Sequence, residues 1–584
     1  MPKVWNIGNT TVRNPNRIER ALRVFLQEGF SGNSKGAETE ARLHLKLKEN
    51  KILDFIGQAS DLNGRKWRAA FYQLGFITND KYKINSLTLS VKDLFSKLNQ
   101  SGLDRPYQIT LTGSKLISAQ SVPEIEEIYC RQFVCYELPN SLESGFPPGK
   151  MKPFILFLQV LLELNNRNLD GLNKFETGLF IQPFKTHIQE LYLQTVERII
   201  KFRKELNNCS NTSQIKALKK AYLEELEKIC VINPLSVVND YADTTFRYFS
   251  LSGLFTRIGE TIIIRHSKVE FVKELLKKEP EFLFEKDPLN YFSHFYNNDY
   301  WLPIDEKSFA LAEIKQLRTE IRNKEHSLFD EIELAEASKE LPEIQEVRHK
   351  LIVYNGWERE EDYAREQQSE SSIRDILRYL KTLNGESFID KPEIEDKPAY
   401  FEWAVWRSFL SINEIKSKVH ETRRFPVDHD FLPRNTAPGG GSDLIFEFEN
   451  FVLAVEVTLT SSHRQMAAES EPVRRHTVSY KEQFPGKDIY CIFIAPTIDN
   501  NVAENFRIGV WYNGDEEEFV NIVPMTLSDF NKTIKGLLKH RYKNNDFKNL
   551  LDRCLVFRTV RAPQWKERIT KEVDEWVKRV CINQ

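Results

Sequence analysis

GGGSDLIFEFENFVLAVEVTLTSSHRQMAAESEPVRRH occupies residues 439–476. Three glycines and Ser442-Asp443 lead into two strand-like runs separated only by Glu449 and Asn450. With the two-residue period of a strand, Leu444, Phe446 and Phe448 share one face of the first run, and Asp443, Ile445 and Glu447 the other. In the second run, Phe451, Leu453, Val455, Val457 and Leu459 share a face, and Val452, Ala454, Glu456 and Thr458 share the opposite one. A two-residue loop at Glu449-Asn450 pairs Phe448 with Phe451. Counting back along both strands then sets Asp443 opposite Glu456. Directly opposed like charges destabilise a sheet. Two carboxylates held this close in an interior call for a shared proton or a divalent cation. The spacing thus points to a hard-metal site. The plainer reading leaves Glu456 on a solvated sheet face, where it simply follows the alternation.

The flanking sequence adds to the acidic pair. His463–His476 reads as a helix with a break near Pro472. It brings Glu469, Glu471, Arg474, Arg475 and His476 in just after the second strand. Upstream, Pro398–Ile412 reads as an amphipathic helix whose one carboxylate, Glu402, stands between Phe401 and Trp403. Downstream, DIYCIFIAP (Asp488–Pro496) is an apolar strand. Helix, acid-bearing hairpin, helix and apolar strand follow the order of a restriction-endonuclease-like core. The usual signature of that core is PD…(D/E)xK. Here Ser442 replaces the proline and Thr458 the lysine. A metal can lower the pKa of a bound water without a lysine.

The chain has 584 residues, enough for three or four domains. It is 41% hydrophobic and 28% charged, with 39 Phe, the balance of a soluble globular protein. No apolar run reaches membrane-spanning length, and MPKVWNIGNTT lacks the apolar core of a signal peptide. The expectation is a bacterial cytoplasmic protein with no membrane partner. Seven scattered cysteines read as reduced structural thiols, and no second pair accompanies Cys130 and Cys135 at zinc-site spacing. A net charge of −2 does not by itself signal nucleic acid, so a DNA-binding chain needs local basic patches. The first 23 residues supply one: Lys3, Arg13, Arg17, Arg20 and Arg23 stand against Glu19 alone.

GRKWRAAFYQLGFIT (Gly64–Thr78) reads as a basic helix, a turn at Gly75 and a strand. YQITLTGSKLISA (Tyr107–Ala119) reads as a strand and then a helix capped by Thr112. A similar phrase recurs over Asp243–His266, where a helix bearing Arg247 leads to Gly253 and a hairpin turns at Ile258-Gly259. Helix, turn, strand and returning strand is a winged-helix pattern, and ordinary small α+β domains use the same turns. Residues 308–383 read mainly as helix, and the polar stretch Asn384–Pro398, with two prolines, reads as a boundary. The resulting division is 1–140 and 141–290 as two winged-helix-like subdomains, 291–395 as a helical linker and 396–584 as a C-terminal domain. The fold class is multidomain α+β, with a tandem winged-helix-like N-terminal region and a C-terminal PD-(D/E)xK-type α/β domain in which the lysine is replaced.

FEWAVW at 401–406, SDLIFEFENFVLAVEVT at 442–458, MAAESEPVRRH at 466–476 and YCIFIAP at 490–496 resemble the type IIS restriction endonucleases of the AlwI, PleI, MlyI and BstNBI group, which includes strand-nicking relatives. WNIGNTTVRNPNRI at 5–18 looks like the start of an AlwI-type enzyme. The resemblance covers nearly the whole chain, most specifically its C-terminal block. It implies an N-terminal half that reads double-stranded DNA, a helical linker and a C-terminal cleavage domain. Carried over motif by motif, the catalytic set is Glu402, Asp443, Glu456 and Glu469, with Arg475-His476 matching an R-H pair. Relatives also carry E-V-T in place of E-x-K. The implied cofactor is Mg²⁺, held by Asp443, Glu456 and the backbone carbonyl of Val457.

Asn9, Arg13, Asn14 and Arg17 are candidates for a DNA-contacting arm, with Arg65, Lys66, Arg68 and Arg247 on the recognition helices. The leading expectation is a Mg²⁺-dependent type IIS endonuclease reading a short asymmetric site, GGATC by the resemblance. It would cut a few base pairs outside that site, through a transient homodimer of cleavage domains, beside a cognate DNA methyltransferase. The alternatives are a nicking enzyme of the same chemistry and a DNA-binding regulator with a vestigial nuclease domain.

Overall fold

The computed structural model describes residues 4–34, 36–50, 52–53, 62–78, 106–140, 146, 149–258, 260–278, 280–322, 330–334, 340–394, 396–412, 414–460, 463–513 and 515–582. Lys3, Gly259 of the expected hairpin turn and parts of the expected helical stretch (323–329 and 335–339) lie outside them. The chain divides into two compact units, Met1–Thr319 with Lys324–Ile352, and Glu320–Asn323 with Val353–Gln584. Among the described residues, no helix is long and apolar enough to cross a membrane.

The N-terminal unit is mostly helical around an aromatic core. Phe249 packs against Phe133, Phe154 and Phe157, with ring centroids 5.3, 4.8 and 5.2 Å away. Such edge-to-face contacts add to the stabilisation from area burial. Cys130 and Cys135 belong to this core, and burial pushes both thiols up to about 12.

Both helix-turn-strand phrases form. In the first, the helix Leu62–Gln73 ends near Gly75, whose φ of 73° suits glycine. A Cβ there would also strike the Phe295 ring at 2.6 Å. Ile77–Thr78 then pairs antiparallel with Gln108–Ile109. The following helix, Leu111–Ser118, is capped by Thr110 and not by the expected Thr112. The Thr110 hydroxyl accepts from the Gly113 amide at 3.1 Å. Thr112 lies two residues further in, fully buried, and donates to the Phe295 carbonyl instead. In the second phrase, the helix Ala242–Ser250 leads through Gly253 to the antiparallel strands Phe255–Ile258 and Thr261–Ile264. Leu172–Asn173 joins the outer side of Thr261–Ile264, making a three-stranded sheet.

The C-terminal unit is built on a four-stranded mixed sheet, in the order Ile522–Thr526, Asp488–Ala495, Phe451–Val457, Leu444–Glu447. The first two pairings are parallel and the last is the antiparallel hairpin. Its register sets Leu444 opposite Val455 and Glu447 opposite Val452. The Phe448 amide donates to the Phe451 carbonyl at 2.9 Å, and the two rings stack 4.6 Å apart, so the two-residue turn at Glu449-Asn450 stands as expected. Every residue from Phe451 to Glu456 is buried. The strand thus has no solvated face, as expected for an inner strand of a sheet covered on both sides, and Glu456 stands inside the protein.

Two helices frame the hairpin. Lys397–Leu410 carries Glu402 and buries Phe401, Trp403, Trp406 and Phe409. The helix after the hairpin runs unbroken over His463–Gln483, so the expected break at Pro472 is corrected. A proline removes one intrahelical hydrogen bond and crowds the preceding turn. Beyond it, Val473, His476, Thr477 and Tyr480 repeat at three- and four-residue steps and are all buried. Packing along that stripe holds the helix through the proline. The helix Glu370–Leu383 joins the same core through Ile373, Ile376, Leu377 and Leu380.

Pro472→Ala returns an amide donor to a helix interior. Propensity favours Ala by about 3 kcal/mol, offset by about 1 kcal/mol of chain entropy regained on unfolding. The substitution should raise the thermal unfolding midpoint. A midpoint that stays or falls would show that the proline ring contributes packing worth more than the missing bond.

Candidate active site

The acids are positioned by backbone more than by side-chain contacts with one another. Ser442 is fully buried, and its amide donates to the Tyr480 hydroxyl at 3.0 Å. One residue on, Asp443 begins the hairpin. The Val457 amide donates to Asp443 Oδ2 at 2.9 Å, drawing this carboxylate to the partner strand beside Glu456. The hairpin register, extended by one pair, makes Asp443 and Glu456 direct neighbours across the strands.

Glu456 is only 7% exposed. Its Oε1 lies 2.9 Å from Nδ1 of His476 on the long helix. A carboxylate there only accepts, so the imidazole donates through Nδ1–H and keeps the Nε2 lone pair. Burial, followed by the charges of Arg475 and Arg424, lowers the His476 pKa below 6.5. The fold therefore favours neutral His476. That contribution to stability is complete above pH 6.5 and is lost progressively as the pH falls below it.

Glu469 precedes His476 by two turns of the same helix and is half-buried. Its Oε1 accepts from the Thr458 hydroxyl at 3.2 Å, and Thr458 in turn accepts from the Thr460 amide at 3.1 Å. Thr458, at the lysine position of the usual motif, thus orients a carboxylate. Glu402 is 5% exposed and accepts from the Ala437 amide at 2.7 Å, on the loop leading into the glycines. The structure brings Asp443, Glu456, Val457 and His476 together directly and attaches Glu469 through Thr458. Arg475 faces outward and pairs with Glu471. Among the described residues, no three His, Cys, Asp or Glu side chains form a metal-holding cluster.

The candidate DNA contacts, all in the N-terminal unit, fare differently from one another. Arg13 and Arg65 are exposed. Arg17 is buried and donates to the Ile52 carbonyl at 2.6 Å, so it serves its own unit. Asn14 caps the turn Pro15–Arg17, and Asn9 accepts from the Thr11 amide. Arg68 pairs with Glu40 and lies over the Tyr107 ring, and Lys66 is half-buried. Arg247 pairs with Asp243 and donates to the Arg13 carbonyl.

Two supporting residues went unread in the sequence. Tyr480 follows His476 by one helical turn, a spacing that could have placed it on the same face. Gln465 is fully buried and bridges Thr460 and Thr497 carbonyls and the Asp499 amide. No local pattern marks it.

The family model described as AlwI restriction endonuclease matches residues 72–533. The chain belongs to the AlwI restriction endonuclease family. It is accordingly a type II restriction nuclease, an enzyme that cleaves DNA. No curated protein matches it. Among solved structures, it is similar to the small subunit of the heterodimeric restriction endonuclease R.BspD6I, with 24% identity over 35% of this chain and 98% of that one, at a TM-score of 0.28. It is also similar to the BpuJ1 endonuclease binding domain, solved with pyrene- and phenanthrene-modified DNA, with 15% identity over 44% of this chain and 84% of that one, at a TM-score of 0.27.

Tyr480→Phe would leave the buried Ser442 amide without its acceptor. A loss of about 1–3 kcal/mol in stability is expected, together with slower DNA cleavage as the backbone just before Asp443 loses an anchor. Denaturant unfolding and a plasmid-cutting assay read the two effects, and wild-type values in both would show that the hydroxyl anchors nothing.

Proposed function

We propose that the chain is a Mg²⁺-dependent type IIS restriction endonuclease whose cleavage centre is Asp443, Glu456, Glu469 and Glu402, assisted by His476. The observation that carries this reading is the Val457 amide holding Asp443 beside the buried, histidine-bonded Glu456. The donors fit Mg²⁺: it takes oxygen ligands, needs only one or two protein carboxylates and keeps water and substrate oxygens for the rest. Asp443, Glu456 and the Val457 carbonyl would hold it. Bound there, it would lower the pKa of a water and offset charge on the phosphate.

The chain's own groups then divide the remaining work. Hydrolysis joins a water oxygen to phosphorus and breaks one P–O ester bond, with the water proton passing to the departing oxygen or to solvent. Glu469, oriented by Thr458, orients the attacking water or takes its proton. His476 steadies Glu456 through Nδ1. Glu402 fixes the approach to the glycine run through Ala437.

In this reading, residues 1–140 and 141–290 are winged-helix-like recognition subdomains, 291–395 a helical linker whose last helix, Glu370–Leu383, packs into the core of the C-terminal unit, and 396–584 the cleavage domain. Arg13 and Arg65, exposed as they are, lead the DNA contacts, with Asn9 and Asn14 near Arg13 in sequence, Lys66 and Arg68 on the helix of Arg65, and Arg247 on the helix Ala242–Ser250. The site is a short asymmetric sequence, GGATC by the family resemblance, and the cut falls a few base pairs outside it. The enzyme works in a bacterial cytoplasm beside a DNA methyltransferase that protects the same site.

Glu456→Ala should slow cleavage by more than about a hundredfold while site-specific binding in Ca²⁺ persists, as gel shift and plasmid cutting would report. A variant that keeps half its cutting rate would move the centre elsewhere.

One carboxylate set per chain addresses one strand at a time, because the two strands run antiparallel. We propose that the second cut comes from a second bound molecule, with cleavage domains paired about a two-fold axis near Lys481–Phe484. Second-strand cutting should then quicken with protein concentration while first-strand nicking on pre-bound DNA does not. Linearisation at a concentration-independent rate would exclude the pair, and nicked circles persisting at every concentration would identify a nicking enzyme.

A further inference from the structure

The sequence replaces the motif lysine with Thr458, and Thr458 is committed to Glu469. The cleavage centre as described is therefore rich in carboxylates and lacks the positive side chain that such motifs place beside the phosphate. Among the described residues, a cation pair borders its first strand. Arg423 and Arg424 run antiparallel to the start of the hairpin, with Arg423 bridged to Leu444 and the Arg424 amide donating to the Asp443 carbonyl at 3.3 Å.

These adjacent arginines are used differently. The guanidinium of Arg423 is bidentate on buried Glu360, and its charge is spent inside the unit. The guanidinium of Arg424 meets only backbone carbonyls, Ser442 at 3.4 Å and Gly439 at 3.2 Å. Among the described residues no carboxylate pairs with it. It is half-buried and lies along the segment that ends in Asp443. Gly441 makes room for it: a Cβ there would stand 2.5 Å from Nη1 and 3.0 Å from Cζ of Arg424. The glycine run that opens the hairpin is thus, at Gly441, a bed for a guanidinium. Two long carbonyl contacts hold the group in place while leaving most of its donor fork for an anion with paired oxygens.

We propose that Arg424 contacts the scissile phosphate and supplies there the positive charge that Thr458 does not. The proposal rests on the reading of Asp443 and Glu456 as the cleavage centre. Arg424 would bond a non-bridging oxygen and offset the charge that grows on it as water adds to phosphorus. The glycines, on this view, are placed for the arginine as much as for the turn.

The test is single-turnover cleavage, with Mg²⁺, of a duplex whose cut position is first mapped with the wild-type full-length protein. Arg424→Ala should cut about 100-fold more slowly and bind the duplex in Ca²⁺ as tightly as wild type. Arg424→Lys should recover part of the rate, and added methylguanidinium should accelerate Arg424→Ala but not Glu456→Ala. Gly441→Ala, which leaves the arginine in place but displaces its head, should also slow cutting, by about tenfold. An Arg424→Ala rate within about threefold of wild type would overturn the proposal, as would a loss that neither lysine nor methylguanidinium reverses. Should Arg424→Ala fail to fold, Gly441→Ala decides, and a wild-type rate in that variant overturns the proposal. Failure of the wild-type protein to cut any duplex would instead bring down the endonuclease reading beneath it.

Discussion

The hydrogen bond from the Val457 amide to the Asp443 carboxylate joins the two strands of the hairpin at the point where each presents an acid. Because side chains alternate along a strand, a slip of one residue in this pairing would turn Glu456 to the other face of the sheet. The short turn, the stacked Phe448 and Phe451 rings and the neighbouring parallel strand all hold the register from outside. Chemistry that needs two carboxylates side by side therefore depends on an apolar hairpin being paired in one way only.

Each acid of the proposed centre meets a different donor. Asp443 has the Val457 amide, Glu456 the His476 ring, Glu469 the Thr458 hydroxyl and Glu402 the Ala437 amide. Burying a carboxylate is costly unless hydrogen bonds replace its water. Spreading the donors over two strands, a helix and a loop meets that cost for each acid separately. It also gives each of the four carboxylates a bond from a separate part of the fold.

How much of this is legible in sequence follows from how local each feature is. The hairpin, its turn and the opposition of Asp443 to Glu456 are set by residues within fourteen of one another, and the alternation gives them directly. Thr112 reads as a cap as readily as Thr110 because both hydroxyls stand at the start of one helical run, and only the contact with Phe295 tells them apart. Pro472 reads as a break because propensity is local, whereas the buried stripe from Val473 to Tyr480 acts through tertiary packing. Arg17 belongs to a basic N-terminal cluster by composition, yet a carbonyl thirty-five residues away captures it. Gln465 and Arg424 are likewise defined by partners that only the folded chain brings near.

The helix Glu370–Leu383 has a bearing on how such enzymes can be recombined. It precedes the polar, proline-bearing stretch that looks like a natural joint, yet Ile373, Ile376, Leu377 and Leu380 belong to the core of the C-terminal unit. Shuffling a cleavage module at residues 384–398 would leave an apolar stripe bare on the donor fragment and a matching groove bare on the recipient, two surfaces prone to self-association. An exchange that travels with this helix keeps both covered. The boundary at which this nuclease can be inherited as a part thus lies upstream of the place where the sequence changes character.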